Sequence, residues 1–355
     1  MDSLSQIVLG AALAAAIGPR QHRRAALLAG AALGTLPDLD SLVLMPLGLD
    51  PVDGMTWHRG PSHSLFVLIP LAALIWAAFW RAGGRVAESP VRWFWAIQTA
   101  LVTHPLLDAL TVYGTQLWWP VPVPPTMWST LFIIDLAYTL PLLVACVLAW
   151  RWRDRRGAQR ALVLGLALSS LYIGWSFVAK AKVDRAANQA LAAMGLQNAP
   201  RFSVPTPFNT LLWQVVAMTP DGYLSGQYSL VADDGPIRLY TQESDVQALA
   251  AVRNFPAVAR LRWFNHGFMS AREDDGQLVL SDLRMGMEPD FTFRFVVAER
   301  DGEAWRPVPP TQAAWPTDAI RRLPEVWNRI WVPEPTPYDP SMSGKLDLST
   351  PRKQN

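Results

Sequence analysis

The chain has 355 residues, of which 51% are hydrophobic and only 17% charged, and this excludes an ordinary soluble protein with a charged surface. Its 31 basic and 29 acidic residues leave a formal charge of +2, which excludes a typical nucleic-acid binder. The single cysteine, Cys146, excludes an intramolecular disulfide and a cysteine-based zinc site. Nearly all long apolar runs precede Lys180, so the length suggests a membrane region followed by a soluble one.

Six apolar segments in the first half are candidate membrane helices, because a helix needs about 20 mostly apolar residues to cross a bilayer. They lie near 4–18, 25–47, 64–80, 91–110, 129–150 and 161–179, and the first of them is short. Asp2 occupies the place of a basic leader region, so no cleavable signal peptide is expected. We predict about five or six transmembrane helices.

Basic residues between these segments occupy alternate loops, which the positive-inside rule assigns to the cytoplasm. The cytoplasmic set is Arg20, Arg23, Arg24, Arg81, Arg85, Arg92, Arg151, Arg153, Arg155, Arg156 and Arg160. The opposite loops before the last span contain only Arg59, although three basic residues follow that span directly. The amino terminus and the second half of the chain are therefore predicted to lie outside.

Ionisable residues within membrane segments are costly and usually face a bundle interior or a wet cavity. Asp38 and Asp40 follow Pro37, which favours a break in the helix at this point. Such a break lets both carboxylates serve one site. A second motif, residues 58–64, holds His58 and His63 on either side of a Gly-Pro turn. Its Ser62 is predicted to cap the next helix.

His104 and Asp108 are four residues apart and share one face of the fourth span. The orientation derived from arginines places this pair and the two earlier motifs at the outer side, where Gln6 would join them. Any one of these residues alone is better explained as a helix cap or a packing pair. Six convergent groups exceed that need, whereas His22 and His266 are expected on the surface.

Three imidazoles and up to three carboxylates form a ligand set for zinc, and also for manganese, iron or nickel. The candidate ligands of one or two divalent ions are Asp38, Asp40, His58, His63, His104 and Asp108. An open zinc site generates hydroxide near neutral pH for attack on an ester, amide or phosphoryl group. Asp40 or Asp108 would then serve as the base if not bound to metal, and Arg59 would stabilise an oxyanion or hold a phosphate.

Three motifs carry a resemblance to a known family: Leu36-Pro37-Asp38-Leu39-Asp40, the His58 to Leu65 segment, and Thr103 to Asp108 continuing to Thr115. In order and spacing the chain resembles the bacterial integral-membrane proteins described as metal-dependent hydrolases, one of which is a LexA-regulated inner-membrane hydrolase. The resemblance covers about the first 180 residues. It implies an inner-membrane location and a metal-dependent hydrolase, and Gln6 stands where some relatives have a histidine.

The second half changes to short runs separated by turn signals, which predicts a smaller soluble α+β domain. Strands are expected at 211–218, 223–231, 237–240, 278–282 and 291–299, and helices at 244–253 and 318–330. Trp213, Trp263, Trp305 and Trp327 are expected to fill its core. The predicted divisions are a membrane domain at 1–182, a periplasmic domain at 183–332 serving as a lid or docking module, and a disordered tail at 333–355.

These observations predict a membrane-embedded hydrolase of a lipid-like or envelope ester or phosphoester at the outer face, with membrane lipids as partners. A non-enzymatic metal or proton transporter is one alternative, because His and Asp also line ion pathways. It is disfavoured, since the cytoplasmic halves of the spans are almost wholly apolar. An envelope-assembly membrane protein without activity is the other alternative.

Overall fold

The computed structural model describes residues 1–153, 155–314 and 321–334. The tail predicted to be disordered from residue 333 lies, apart from Pro333 and Glu334, outside the described residues. The first half is helical, and the second half contains sheets, as the sequence predicts.

The helical region begins with α1 (Ser3–Ile17) and α2 (Arg23–Thr35), followed by a 3₁₀ turn at Leu36–Leu39. Its remaining helices are α3 (Asp40–Leu44), α4 (Pro51–Trp57), α5 (Leu65–Ala82), α6 (Gly84–Glu88), α7 (Pro90–Asp108), α8 (Leu136–Trp152) and α9 (Arg156–Ala193). Each of the six predicted apolar segments therefore contains a helix.

Three stretches of the described chain are long and apolar enough to cross a membrane: Arg20–Leu47, Leu65–Ala82 and Arg156–Ala193. The first combines α2 with the short helical turns that follow it. Two further helices, α1 and α8, are apolar but shorter. The region thus has up to three candidate spans by length and composition, and five or six stays a prediction.

Small residues let α1 and α2 approach closely. A Cβ atom added at Gly10 would lie 2.3 Å from the carbonyl oxygen of Gly30, and one added at Gly34 would lie 2.4 Å from that of Gln6. Contacts between small residues are a usual means of helix association in membranes. The same helix pair carries Gln6 and the start of the Asp38 motif, so this packing sets their separation.

The long helix α9 runs without interruption through the predicted boundary at residue 182. Its C-terminal part packs Val183 and Ala187 against Trp213 and Ile237 of the second half. One continuous helix therefore contains the last candidate span and also packs against the first sheet. The domain limits at residues 182 and 332 stay a prediction.

Two antiparallel four-stranded sheets form the second half, with orders β1-β2-β3-β4 and β10-β9-β6-β5. The first contains β1 (Arg201–Pro205), β2 (Leu212–Thr219), β3 (Gly222–Ser229) and β4 (Tyr240–Glu243). The second contains β5 (Met269–Asp274), β6 (Gln277–Asp282), β9 (Arg294–Asp301) and β10 (Ala304–Gln312), and β7 (Gly286–Met287) pairs with β8 (Asp290–Phe291). The helices are α10 (Val246–Ala251), α11 (Pro256–Phe264) and α12 (Leu323–Trp331).

The structure corrects two details of the expected second half. The segment predicted as a strand at 237–240 precedes β4, which begins only at Tyr240. Trp213 is fully buried as expected, but Trp327 is 60% exposed. The reason is that α12 turns Val326 and Ile330 inward, which leaves Trp327 on its outer face.

Three contacts join the two halves next to the predicted site. Arg284 is buried, pairs with Asp282, and donates from Nη1 to the carbonyl oxygen of Tyr113 at 2.9 Å. Arg260 donates to Thr56 Oγ1, and His266 donates from Nε2 to the carbonyl oxygen of Pro125 at 2.8 Å. Burial lowers the pKa of the His266 imidazole, which favours its neutral form. The second half is therefore anchored on α4 and on the loop that follows α7.

Candidate metal centre

The three motifs meet because each lies at or next to the end of a helix, and these helix ends are close together. Pro37 occupies the start of the 3₁₀ turn that follows α2, and this turn directs Asp38 towards α7. His63 ends the 3₁₀ turn Pro61–His63, directly before α5. His104 and Asp108 project from the last turn of α7. The helix break predicted from Pro37 is thus present.

Four ligand atoms converge, one each from Asp38, His63, His104 and Asp108, and all lie within 4.8 Å of one another. The two imidazole Nε2 atoms are 3.1 Å apart. Asp38 Oδ1 lies 3.4 Å from each of them, and Asp108 Oδ2 lies 3.1 Å from His63 Nε2 and 3.4 Å from His104 Nε2. The side chains of His63, His104 and Asp108 are fully buried.

The hydrogen bonds outside the cluster fix which imidazole nitrogens carry protons. His104 Nδ1 lies 2.7 Å from the carbonyl oxygen of Gly34, which can only accept, so Nδ1 is the protonated atom. Ser62 donates to Asp40 at 2.7 Å, so its oxygen accepts from His63 Nδ1 at 2.9 Å. In their neutral forms, both imidazoles therefore present the Nε2 lone pair to the centre.

A divalent cation fits this donor set. Two imidazole lone pairs and two carboxylate oxygens face one another, and Asp108 Oδ2 receives no hydrogen bond from the described residues. Tetrahedral zinc with bonds of about 2.0–2.1 Å has ligand-to-ligand edges of about 3.3–3.4 Å. The five separations that involve an imidazole, 3.1 to 3.4 Å, are close to those edges, and the two carboxylate oxygens lie within 4.8 Å of each other. The chain's own residues therefore suit zinc, and bonds from Nδ1 to outer acceptors are typical of metal-binding histidines.

The other two predicted ligands, Asp40 and His58, lie beside the four and not among them. Asp40 Oδ1 is 2.9 Å from His58 Nδ1, and its Oδ2 accepts from the backbone N–H of Arg59 at 3.1 Å. Through Ser62 the same carboxylate also orients His63. Asp40 thus links a half-buried histidine to the buried centre. The sequence predicts Ser62 as the cap of α5, but the cap is Ser64. Ser62 instead joins Asp40 to His63.

Arg59 lies between the centre and the loop after α7. Its backbone adopts φ +62°, and its side chain is buried with its guanidinium 4.9 Å from the centre of the Tyr113 ring. Nη2 lies 3.3 Å from Asp108 Oδ1, and Nη1 donates to Thr111 Oγ1 at 3.3 Å. The positive charge therefore faces the carboxylate on the side away from the imidazoles.

Gln6 joins the cluster, as the sequence predicts. It donates to Asp108 Oδ1 at 3.0 Å, and its Oε1 is buried without a donor among the described residues. Two other contacts had no signal in the sequence. The amino group of Met1 contacts Asp108. Gly34 contributes only its carbonyl, which no residue-type pattern reveals. The two histidines expected on the surface lie elsewhere, with His22 paired to the exposed Glu88.

The YdjM inner membrane protein family matches residues 1–183, the segment that carries every residue of the centre. The chain belongs to the YdjM inner membrane protein family. It is therefore an inner-membrane protein with candidate spans, and the match ends within α9. No curated protein and no solved structure matches the chain.

Proposed function

We propose that this YdjM-family protein is a membrane-embedded, metal-dependent hydrolase that acts on a lipid-like or envelope ester or phosphoester at the outer face of the membrane. The observation that carries the proposal is the convergence of four ligand atoms, two of which are imidazole Nε2 atoms whose rings bond to outer acceptors through Nδ1. Asp38, His63, His104 and Asp108 would hold the cation, most suitably zinc, with manganese and iron as other candidates.

A cation that keeps a coordination position for water beside these ligands would supply Lewis acidity and lower the pKa of that water towards about 7. With Asp108 and Asp38 as ligands, the candidate proton acceptor is the His58–Asp40 pair. Asp40 accepts from His58 Nδ1, which leaves Nε2 to take a proton. The His58 side chain is 30% exposed, so a substrate can reach it. Arg59 would stabilise negative charge that develops on the substrate oxygen.

A lipid-like substrate is supported by the surroundings of His58. A pocket of about 380 Å³ reaches this imidazole and is lined by Leu44, Met45, Leu49 and Tyr113. Met45 is 77% exposed, and its neighbours Leu42 and Val43 are exposed as well. Apolar side chains exposed in a membrane protein face lipid, so this pocket would open towards hydrocarbon and not only towards water.

The outer location rests on the arginine-rich loops at the opposite end of the helices. Reporter fusions test it: alkaline phosphatase fused after residue 334 is expected to be active, and a fusion in the loop at residue 84 inactive. The reverse pattern would contradict a periplasmic second half.

Turnover tests the proposed activity. Purified full-length protein in lipid nanodiscs, with zinc, is assayed on phospholipids and on soluble carboxylic esters and phosphodiesters. We expect hydrolysis that chelation abolishes, that His58→Ala lowers strongly, and that His22→Ala leaves unchanged. Bound metal without turnover on any of these substrates would contradict the hydrolase and favour the non-enzymatic alternatives.

A further inference from the structure

A second, more enclosed cavity lies between the two halves of the chain and has a volume of about 190 Å³. One wall comes from the helical region, through Val112, Leu131 and Phe132. The opposite wall comes from the second half, through Val204, Met287 and Val326. Neither half alone encloses this space.

The lining favours a flexible apolar occupant. Most of the accessible wall is apolar, and thioether side chains such as those of Met285 and Met287 adapt to irregular shapes. A cavity of about 150 Å³ with apolar walls stays dry and takes up a small apolar molecule. The charged residues that line the cavity are already paired, Arg322 with Asp290 and Arg284 with Asp282. An apolar chain therefore suits the interior better than a charged ligand.

The cavity is continuous with apolar surface at the end of the candidate spans. Phe132 packs edge-on against Phe208, with ring centroids 5.7 Å apart, and Phe208 is 43% exposed. The adjoining Ile134 and Leu136, at the start of α8, are 39% and 52% exposed. A chain lying on this apolar surface thus meets Phe132 at the rim of the cavity.

Two residues of the cavity wall contact the arginine beside the candidate metal centre. Thr111 lines the cavity and donates to the backbone oxygen of Asp108 at 2.7 Å, and its hydroxyl also accepts from Arg59. Tyr113 lines both this cavity and the pocket at His58, and the guanidinium of Arg59 lies over its ring. Arg59 is therefore one side chain away from the cavity and contacts the metal ligand Asp108.

We infer that this interdomain cavity binds one aliphatic chain of an amphipathic molecule and places its polar end at Arg59. Treating that molecule as the substrate rests on the proposed function. The substrate would then be an amphipathic molecule with an unbranched hydrocarbon chain. The second half of the protein then has a role, because it forms half of the chain-binding wall.

Photo-crosslinking tests the inference without requiring turnover. Full-length protein in nanodiscs is illuminated with a phosphatidylcholine bearing a diazirine within one acyl chain, or with a free fatty acid bearing the same group, and labelled peptides are mapped by mass spectrometry. We expect labels at 131–133 and 285–287. Labelling by the phosphatidylcholine would show that the bound chain belongs to a membrane lipid. Labelling by the fatty acid alone would contradict a membrane lipid as the ligand.

Leu323→Trp introduces an indole into the cavity from α12, and Asn328→Trp adds the same group on an exposed position of that helix. The first should reduce labelling at 131–133 at least about tenfold, a loss of about 1.4 kcal/mol in binding, and the second should not. If Leu323→Trp fails to fold, Val112→Phe fills the cavity from the opposite wall. Labels confined to α5 and α8, or unchanged by both filling variants, would overturn the inference.

The same experiment separates this inference from the proposed function. Asp108→Asn, which alters the metal centre, should leave labelling of the cavity intact. Normal labelling in a wild-type protein that binds no metal would leave the chain site standing and refute the hydrolase. Turnover without labelling at the cavity would refute the chain site alone.

Discussion

His63 and His104 point their Nε2 atoms at each other across 3.1 Å. The neutral form of each ring donates its one proton outward, to Ser62 and to the carbonyl of Gly34. The Nε2 lone pairs of the two neutral rings then repel at this distance, and two carboxylate oxygens add negative charge beside them. A cation at the centre converts these repulsions into attractions, because all four atoms are then ligands.

Ser62→Ala should weaken metal binding although Ser62 is not a ligand. The substitution removes the hydroxyl that joins His63 Nδ1 to Asp40. Loss of such an outer partner lowers metal affinity by about 10–100-fold. Competition with a zinc-sensitive chelator measures the change. Thr99→Ala is the matched control, because that hydroxyl bonds only within α7, and an equal loss in both variants would contradict the link.

Gly34→Ala should disrupt both the fold and the centre. Its Cβ would lie 2.4 Å from the carbonyl oxygen of Gln6, so α1 and α2 must separate, at a cost of about 1–3 kcal/mol. The shift also displaces the carbonyl that orients His104. Thermal unfolding and bound zinc are the measurements, and both should fall.

Gly54→Ala provides the comparison for that variant. Gly54 lies within α4, and no atom is within 4 Å of its added Cβ. Alanine should therefore stabilise α4 by about 0.5–1 kcal/mol and leave zinc binding unchanged. Tolerance of alanine at both glycines would argue against close packing of α1 on α2.

Arg59→Lys should separate metal binding from turnover. A lysine keeps a positive charge near Asp108 but loses the planar group that contacts Asp108, Thr111 and the Tyr113 ring together. We expect retained zinc and a fall in kcat of roughly 10²–10³, as for the loss of one oxyanion-stabilising donor. Arg81→Lys, on an exposed position at the end of α5, should change neither quantity. Unchanged kcat in Arg59→Lys would remove Arg59 from the catalytic set.

Arg284→Met should loosen the attachment of the second half. It leaves the buried Asp282 carboxylate without its partner and frees the carbonyl of Tyr113, a change that costs about 3–5 kcal/mol for a buried ion pair. Unfolding temperature and protease resistance report the effect. The double variant Asp282→Asn, Arg284→Met should recover part of the loss, since no buried charge then stands alone.

An exposed ion pair is the control for that experiment. Arg300→Met removes the contact with Glu273 on the surface of the second sheet, and such pairs contribute little to stability. We expect no measurable change in unfolding temperature. Equal destabilisation by the Arg284 and Arg300 substitutions would contradict a specific role for Arg284.

The convergence of Asp38, His63, His104 and Asp108 could be anticipated from the sequence. His104 and Asp108 share a helix face because they are four residues apart, and the arginine-rich loops place the other motifs at the same end. The different roles of Asp38 and Asp40 could not be predicted from the sequence, because the direction of each side chain depends on how a short 3₁₀ turn packs. The contribution of the Gly34 carbonyl depends on helix packing alone.

Three strands of the second half that the sequence did not predict, β1, β5 and β10, lie at sheet edges. β10 contains Pro307, Pro309 and Pro310, which argue against a strand, yet an edge position tolerates missing backbone donors. β1 ends at Pro205 and β5 ends in acidic residues, and both are edge strands as well. Central strands such as β2 and β6 carry clear apolar patterns, and these were the ones predicted.

The metal content of the purified protein shows whether Asp38, His63, His104 and Asp108 hold a cation. Full-length wild type, His104→Ala and His22→Ala are prepared in parallel with zinc in the medium, washed free of loose metal, and measured by inductively coupled plasma mass spectrometry. We expect about one zinc per chain in wild type and His22→Ala, and a loss of most of it in His104→Ala. Wild type without bound metal, or equal metal in all three proteins, would contradict this metal centre.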